Sequence, residues 1–408
     1  MKILLCHNYY QQPGGEDRVF AAEGSLLESH GHDVLRYTRH NDGIETMGRA
    51  DLLRRTLWNA EVYEDLRHLI RRHRPQVMHC HNTFPLLSPS TYQAARDEGV
   101  PVVQTLHNYR LLCLNAMLYR DGQPCEDCLG RTVAWPGVRH ACYRDSRAAS
   151  AATAAMLLWH RARRTWLKAV DHYVALCQFS RQKFLEAGFP AEKISVKPNF
   201  AHPDRGAGRG GDYALFVGRL TPEKGLHTLL SAWSRLHAQI PLRILGDGPW
   251  APRVAEAAAA DPRISWLGHR PPDDVHAAMR GAACLVMPSQ WYETFGLTII
   301  ESFAAGTPVI ASRLGAMCEL VDDHRTGLHF TPGDAADLAA KVEMLWDDRA
   351  RLATMRCAAR QEYERRYTAE VNYRLLLEVY RRAGAAIDAN LGSRDPAPAC
   401  NPGVPARV

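Results

Sequence analysis

Pro288-Ser289-Gln290-Trp291-Tyr292-Glu293-Thr294-Phe295-Gly296-Leu297-Thr298-Ile299-Ile300-Glu301 is the stretch whose reading decides the fold. The apolar run 284–287 before it reads as a strand. A short loop then presents Glu293, and a helix opens near Gly296 and runs to Ala304, with Gly306 and Pro308 as stop signals. A helix start offers free N–H groups and the positive end of a dipole, which suits a diphosphate. At about 1.5 Å rise per residue, the span from Glu293 to Glu301 reaches up to about 12 Å. One carboxylate can then meet sugar hydroxyls and the other a ribose diol, with phosphates between. Two acidic groups with unrelated roles are the plain alternative.

A second signal is Gly218-Arg219-Leu220-Thr221-Pro222-Glu223-Lys224-Gly225. Residues 213–220 read as a strand, with Thr221 as N-cap and Pro222 at the first helical position. Arg219 then stands at a strand end and Lys224 in the first helical turn, where a cation opposes the dipole unless an anion is bound there. Only seven of the 50 basic residues are lysine, so Lys224 is less readily dismissed as a generic surface charge. In the first half, Gly14-Gly15 follows the first strand and lets backbone amides approach a phosphate. His107, just past the strand 101–106, faces the same cleft if the sheets are parallel.

Strand and helix patterns alternate through both halves, which predicts parallel sheets with right-handed crossovers. Strands are expected at 2–7, 32–38, 76–81 and 101–106, then at 213–220, 242–245, 264–267, 284–287 and 308–311. The expected fold is α/β, two Rossmann-like doubly wound domains facing across a cleft. The N-terminal domain spans 1–197 with a Cys-rich insertion at 111–143. A linker at 198–212 leads to a C-terminal domain at 213–367, then an amphipathic helix at 368–385 and a disordered tail at 386–408.

The 408 residues fit two domains, and the 23% charged and 46% hydrophobic fractions are those of an ordinary globular protein. No apolar run is long enough to span a membrane, and the start of the chain is too short a run for a signal peptide. A cytoplasmic enzyme is expected. Basic clusters at Arg71-Arg72-His73-Arg74 and at Arg161, Arg163, Arg164 and Lys168 read as solvated helix faces, with the inner face of a membrane left open as a contact. The net charge of +6, without aromatic-basic interleaving, argues against a nucleic-acid partner.

These motifs, with Gly14-Gly15-Glu16-Asp17-Arg18-Val19, Gln104–Asn108 and Leu245-Gly246-Asp247-Gly248-Pro249, resemble glycosyltransferase family 4. The resemblance spans about residues 1–385 and implies the GT-B fold, with the last helix crossing back onto the N-terminal domain. It implies a retaining, hexosyltransferase-type enzyme that moves a sugar from a nucleotide-diphosphate donor to a glycan or lipid-linked acceptor, in polysaccharide or glycoconjugate biosynthesis. Glu293 would contact the donor sugar, Glu301 the ribose, Arg219 and Lys224 the diphosphate, Gly15 a phosphate, and His107 the sugar beside the reacting carbon. Backbone amides of Thr294, Phe295, Gly296 and Leu297 would complete the donor site, and no cofactor is required for catalysis. A sugar-nucleotide epimerase and a catalytically silent scaffold remain as alternatives. A nicotinamide dehydrogenase is disfavoured, since no G-x-G-x-x-G follows a strand.

Eleven cysteines without an export signal make a disulfide framework unexpected. Cys113, Cys125, Cys128 and Cys142 form C-x11-C-x2-C-x13-C, a spacing that suits a structural Zn²⁺. The segment between Leu111 and Tyr143 has too few periodic apolar positions to pack a core of its own, and it should stand on the N-terminal side of the cleft mouth, where an acceptor enters. Unconnected buried thiols are the alternative.

Overall fold

The computed structural model describes residues 1–12 and 14–387. The strands are β1 (Lys2–Tyr9), β2 (Asp33–His40), β3 (Val77–Asn82), β4 (Val102–Thr105), the hairpin β5 (Tyr119–Arg120) and β6 (Gln123–Pro124), β7 (His172–Ala175) and β8 (Ile194–Val196). They continue with β9 (Ala214–Val217), β10 (Leu242–Leu245), β11 (Ile264–Trp266), β12 (Cys284–Met287), β13 (Val309–Ser312) and β14 (Gly327–Phe330). Two six-stranded sheets result, in the orders β2-β1-β3-β4-β7-β8 and β11-β10-β9-β12-β13-β14. Neighbouring strands pair in parallel throughout both. Helices cover both faces, so β3, β4, β7 and β12 are buried along their whole length, polar residues such as His79, His81 and Gln104 included.

The strand order reverses beside β1 in the first sheet and between β9 and β12 in the second. Loops leaving the carboxyl ends of strands diverge at such points and open a crevice. The motif at 218–225 leaves β9, the motif at 288–301 leaves β12, and Gly14-Gly15 follows β1. Topology thus delivers the three sequence signals to strand ends where ligands bind in open α/β sheets.

Five strands were missing from the sequence reading: β5 and β6 have two residues each, and β7, β8 and β14 have four, three and four. A second correction concerns Lys224. Thr221 makes no side-chain cap to a backbone amide, and Pro222–Lys224 is a 3₁₀ turn. Gly225, at φ +72, separates that turn from the helix Leu226–Trp233. A Cβ on Gly225 would lie 1.8 Å from the Pro288 carbonyl oxygen, so this crossing of two loops requires glycine. Lys224 therefore sits in the turn before the helix and not in its first turn.

The Cys-rich insertion has only the β5–β6 hairpin and the one-turn helix Trp135–Arg139. It is less independent than its composition suggests, because Leu112, Leu114, Leu118 and Ala134 join the hydrophobic core of the first sheet. The tail expected at 386–408 falls outside the described residues from 388 onward.

The helix Ala369–Arg382 crosses from the second domain to the first. Its Leu376, Leu377 and Tyr380 pack in one cluster with Ile3, Leu5 and Val77. Burying such side chains contributes about 1.5–3 kcal/mol each. Polar contacts moor the same helix: Asn372 Nδ2 donates to the Pro198 carbonyl at 2.7 Å, and its Oδ1 accepts from Lys197 Nζ at 3.3 Å. Lys197, fully buried, also pairs with the fully buried Glu23 of the helix Gly15–Ser29. Removing one partner of a buried pair leaves an uncompensated charge. Lys197→Met should therefore destabilise the protein by about 3–5 kcal/mol in urea unfolding, and Glu23→Gln in the same chain should recover most of that loss. A Lys197→Met variant as stable as the wild type would show that the pair does not hold this junction.

Candidate active site

Glu293 sits in the loop between β12 and the helix Leu297–Ala304. Its side chain is 6% exposed, and one carboxylate oxygen gathers three donors. Lys224 Nζ approaches Oε1 at 2.6 Å, Ser289 Oγ at 2.8 Å and Trp291 Nε1 at 2.9 Å. Oε2 is engaged by none of these. The sequence reading gave Lys224 to a phosphate and Glu293 to a sugar; in the structure the two hold each other. Arg219 is exposed at the end of β9 and, among the described residues, has no ion-pair partner.

Gly296, at φ +98, begins the helix Leu297–Ala304, and no side chain caps that end. Among the described residues, the amides of Thr294, Phe295, Gly296 and Leu297 donate no hydrogen bond. A cluster of unpaired N–H groups at a helix start attracts anions. Gly15 faces this end from the other domain: a Cβ placed there would lie 3.2 Å from Leu297 Cδ1. Two more contacts cross the cleft nearby. Thr294 Oγ1 donates to the His107 carbonyl at 2.8 Å, and Arg18 Nη1 donates to Glu301 Oε1 at 3.0 Å. Gly15, His107, Lys224, Glu293, the 294–297 loop and Glu301 thus lie along one seam between the sheets, and Arg219 is exposed just after β9.

His107 is 9% exposed, and burial first, then the neighbours His7, His79 and Lys197, hold its pKa well below the ordinary range. The ring is a neutral imidazole at physiological pH. His81 Nδ1 lies 2.9 Å from His107 Nε2, and His81 Nε2 lies 3.4 Å from Glu23. Which of these two rings donates to the other follows from their tautomers, and His81 Nε2 and Glu23 Oε2, both buried, make no hydrogen bond among the described residues. Behind His107, His79 bridges Thr105 Oγ1 at 2.7 Å and the Tyr380 hydroxyl at 3.0 Å.

Glu16 was overlooked in the sequence. It follows Gly15, accepts from Asn108 Nδ2 at 3.2 Å, and keeps its other oxygen buried without a partner. Burial, and then the Asp17 charge, raise its pKa to about 8, against weaker opposing contacts from Asn108, Arg110 and Tyr10. Arg18, the cross-cleft partner of Glu301, was also missed. Both belong to the quoted Gly-Gly motif, and a charged triplet entering a helix right after a phosphate-type turn was the available signal. On the N-terminal side, a cavity of about 50 Å³ opens beside His107, lined by Phe84, Tyr92, Leu111, Met156 and Trp166.

The comparisons with known proteins agree with this geometry. The family described as "Glycosyltransferase Family 4" matches residues 13–205, and "Glycosyl transferases group 1" matches residues 200–362. Glycogen synthase of Mycobacterium tuberculosis is 34% identical over 190 residues, 45% of this chain and 44% of that protein. The chain thus spans less than half the length of that relative. An uncharacterized 42.6 kDa protein in the cps region of Klebsiella pneumoniae is 25% identical over 362 residues, 78% of this chain and 87% of that one. Among solved structures, Anabaena Alr3699/HepE in complex with UDP superposes with a TM-score of 0.67 at 19% identity, covering 93% of this chain and 100% of that one. Two parallel sheets facing across one seam, with consecutive family matches over both halves, place the chain in glycosyltransferase family 4, with the GT-B fold.

Proposed function

We propose that the protein is a retaining glycosyltransferase of hexosyltransferase type, taking its sugar from a nucleotide-diphosphate donor bound along the seam. The observation that carries this reading is the uncapped helix start at 294–297, set between Gly15 and the Lys224–Glu293 pair. A diphosphate there meets unpaired amides and two cations. Arg219 supplies a fork of donors and Lys224 a point charge. Glu293 keeps one oxygen for sugar hydroxyls, the His107 ring meets another, and Glu301 exchanges Arg18 for the ribose diol.

Transfer then proceeds by same-face displacement. The bond from the anomeric carbon to the diphosphate oxygen breaks while the acceptor oxygen bonds to that carbon from the same side. The departing diphosphate takes the acceptor's proton, and the amides, Arg219 and Lys224 stabilise its charge. The departing diphosphate itself serves as the base, which favours this route over double displacement. Closure of the cleft excludes water from the donor. The UDP bound by Alr3699/HepE makes uridine diphosphate sugars the first donors to test. The same panel separates the alternatives: an epimerase converts donor alone to its epimer, and a silent scaffold does neither.

We assign the acceptor to the N-terminal side, a glycan or a lipid-linked sugar, with the protein lying on the inner face of a membrane. No helix among the described residues is long and apolar enough to cross a membrane. Trp135 and Trp159 are 62% and 50% exposed, and Arg163 lies over the Trp159 ring at 4.2 Å. Exposed aromatics among cations match the surface of an anionic bilayer.

Arg219→Ala should lower turnover about 10²-fold or more and weaken nucleoside-diphosphate binding in calorimetry, with stability unchanged because the side chain is exposed and unpaired. Unaltered nucleotide affinity would remove Arg219 from the site. Glu301→Gln should weaken binding of the free nucleotide, whereas Glu293→Gln should spare it and damage transfer; identical behaviour of the two would refute the division of roles.

Glu16 provides a test by pH. Its folded pKa, about 8, lies above the ordinary 4.5, so the folded chain holds a proton that the unfolded chain gives up in that window. The associated stability is present below pH 4.5 and is lost as pH rises through 8. Between pH 5 and 8.5 the melting temperature of the wild type should therefore fall relative to that of Glu16→Gln. Parallel curves would mean that Glu16 ionises normally.

A further inference from the structure

The fold returns the four cysteines of the insertion to one place. Cys113, Cys125, Cys128 and Cys142 line a single cavity of about 10 Å³, together with Asn115 and Arg120. That is room for one water-sized sphere. All four are free thiols. They come from three separate stretches of a segment whose regular structure is one short hairpin and one helical turn. Cys113 Sγ donates to Asn115 Oδ1 at 3.0 Å, another residue that lines the cavity. Cys125-Glu126-Asp127-Cys128 is itself a turn, closed by Leu129 N–H on the Glu126 carbonyl at 2.9 Å and by Arg131 N–H on the Cys128 carbonyl at 3.3 Å.

We propose that Cys113, Cys125, Cys128 and Cys142 bind one structural Zn²⁺, and that this ion braces the knuckle that supports the Glu293 loop. Four thiolates around a divalent ion leave a local charge of about −2, which amide donors and a nearby cation offset. Arg120 is that cation: it borders the cavity and reaches Asp127 at 3.0 Å. The sulfurs stand around the cavity more widely than in a filled tetrahedral site, and metal binding would draw them inward by side-chain rotation. Among the described residues, the one triplet of ligand atoms within 4.8 Å is Glu23, His79 and His81. That triplet is a poorer site, because Lys197 already neutralises Glu23.

The brace follows from Glu126, which lies between the two knuckle cysteines. Lys183 Nζ holds its carboxylate at 2.8 Å. The same ammonium lies over the Tyr292 ring, 5.8 Å from its centroid. Tyr292 immediately precedes Glu293 and stacks on Phe179 with ring centroids 4.8 Å apart. The insertion thus stands on the N-terminal side while its knuckle reaches across to the donor loop, so zinc loss acts on that loop.

The metal assignment does not depend on the donor reading and is tested on the full chain without an activity assay. Protein purified with zinc and without chelator should contain about one zinc per chain by elemental analysis. Titration with a mercurial thiol reagent should release that zinc as about four thiols react. Cys125→Ser should lose the metal, and Cys318→Ser, at an exposed thiol, should keep it. If Cys125→Ser fails to fold, replacement of the wild-type ion by Co²⁺ decides: intense thiolate-to-cobalt absorption supports the site, and a spectrum without it overturns it. Less than about half an equivalent of zinc, or a disulfide in place of two thiols, also overturns it. Removing the ion should speed hydrogen exchange of amides 288–296; unchanged exchange there would refute the brace.

Discussion

The buried pair between Glu23 and Lys197 is the constraint on which the two halves depend. Neither charge touches water, so each requires the other. Glu23 belongs to the helix that begins at the Gly-Gly turn, and Lys197 follows the last strand of the first sheet. Through Asn372 the pair reaches the crossover helix, and Glu23 lies 3.4 Å from His81, whose ring contacts that of His107. A change at this one junction would alter the helix that follows the Gly-Gly turn, the surroundings of the His107 ring, and the helix that joins the domains. Specificity of arrangement, more than net stability, is what such a buried pair provides.

A second electrostatic arrangement completes the seam. Lys224 is held on Glu293, so neither charge stands alone. A diphosphate would compete for the lysine and free the carboxylate for sugar hydroxyls. The unpaired amides of 294–297 have no internal partner to exchange, so they favour an incoming anion without reorganisation. The domain contacts at Thr294–His107 and Arg18–Glu301 lie on either side of this point.

Much of this was legible in the sequence because its signals are local. The strand-loop-helix pattern at 284–304 and the Gly-Arg…Lys-Gly pattern at 218–225 carry their own geometry in neighbouring residues. Lys224 was misplaced by one turn, since Gly225 is shaped by a contact with Pro288 that no local pattern reveals. The strands β7, β8 and β14 are too short to show a period. The network behind His107 is the least readable part: Glu23 and Lys197 are separated by 174 positions, and each alone looks like a surface charge. Glu16 acquires its raised pKa from burial, which appears only once the sheet is assembled. The cysteines are the converse case, with a clear spacing in sequence and a convergence in space that the spacing anticipates.

A crystal structure of the protein with a nucleoside diphosphate tests the central claim most directly. The account predicts the diphosphate at the amides of 294–297, opposite Gly15, with Arg219 folded onto it and Lys224 Nζ moved from Glu293 to a phosphate oxygen. A diphosphate bound elsewhere, with the Lys224–Glu293 contact intact and the helix start still empty, would contradict it.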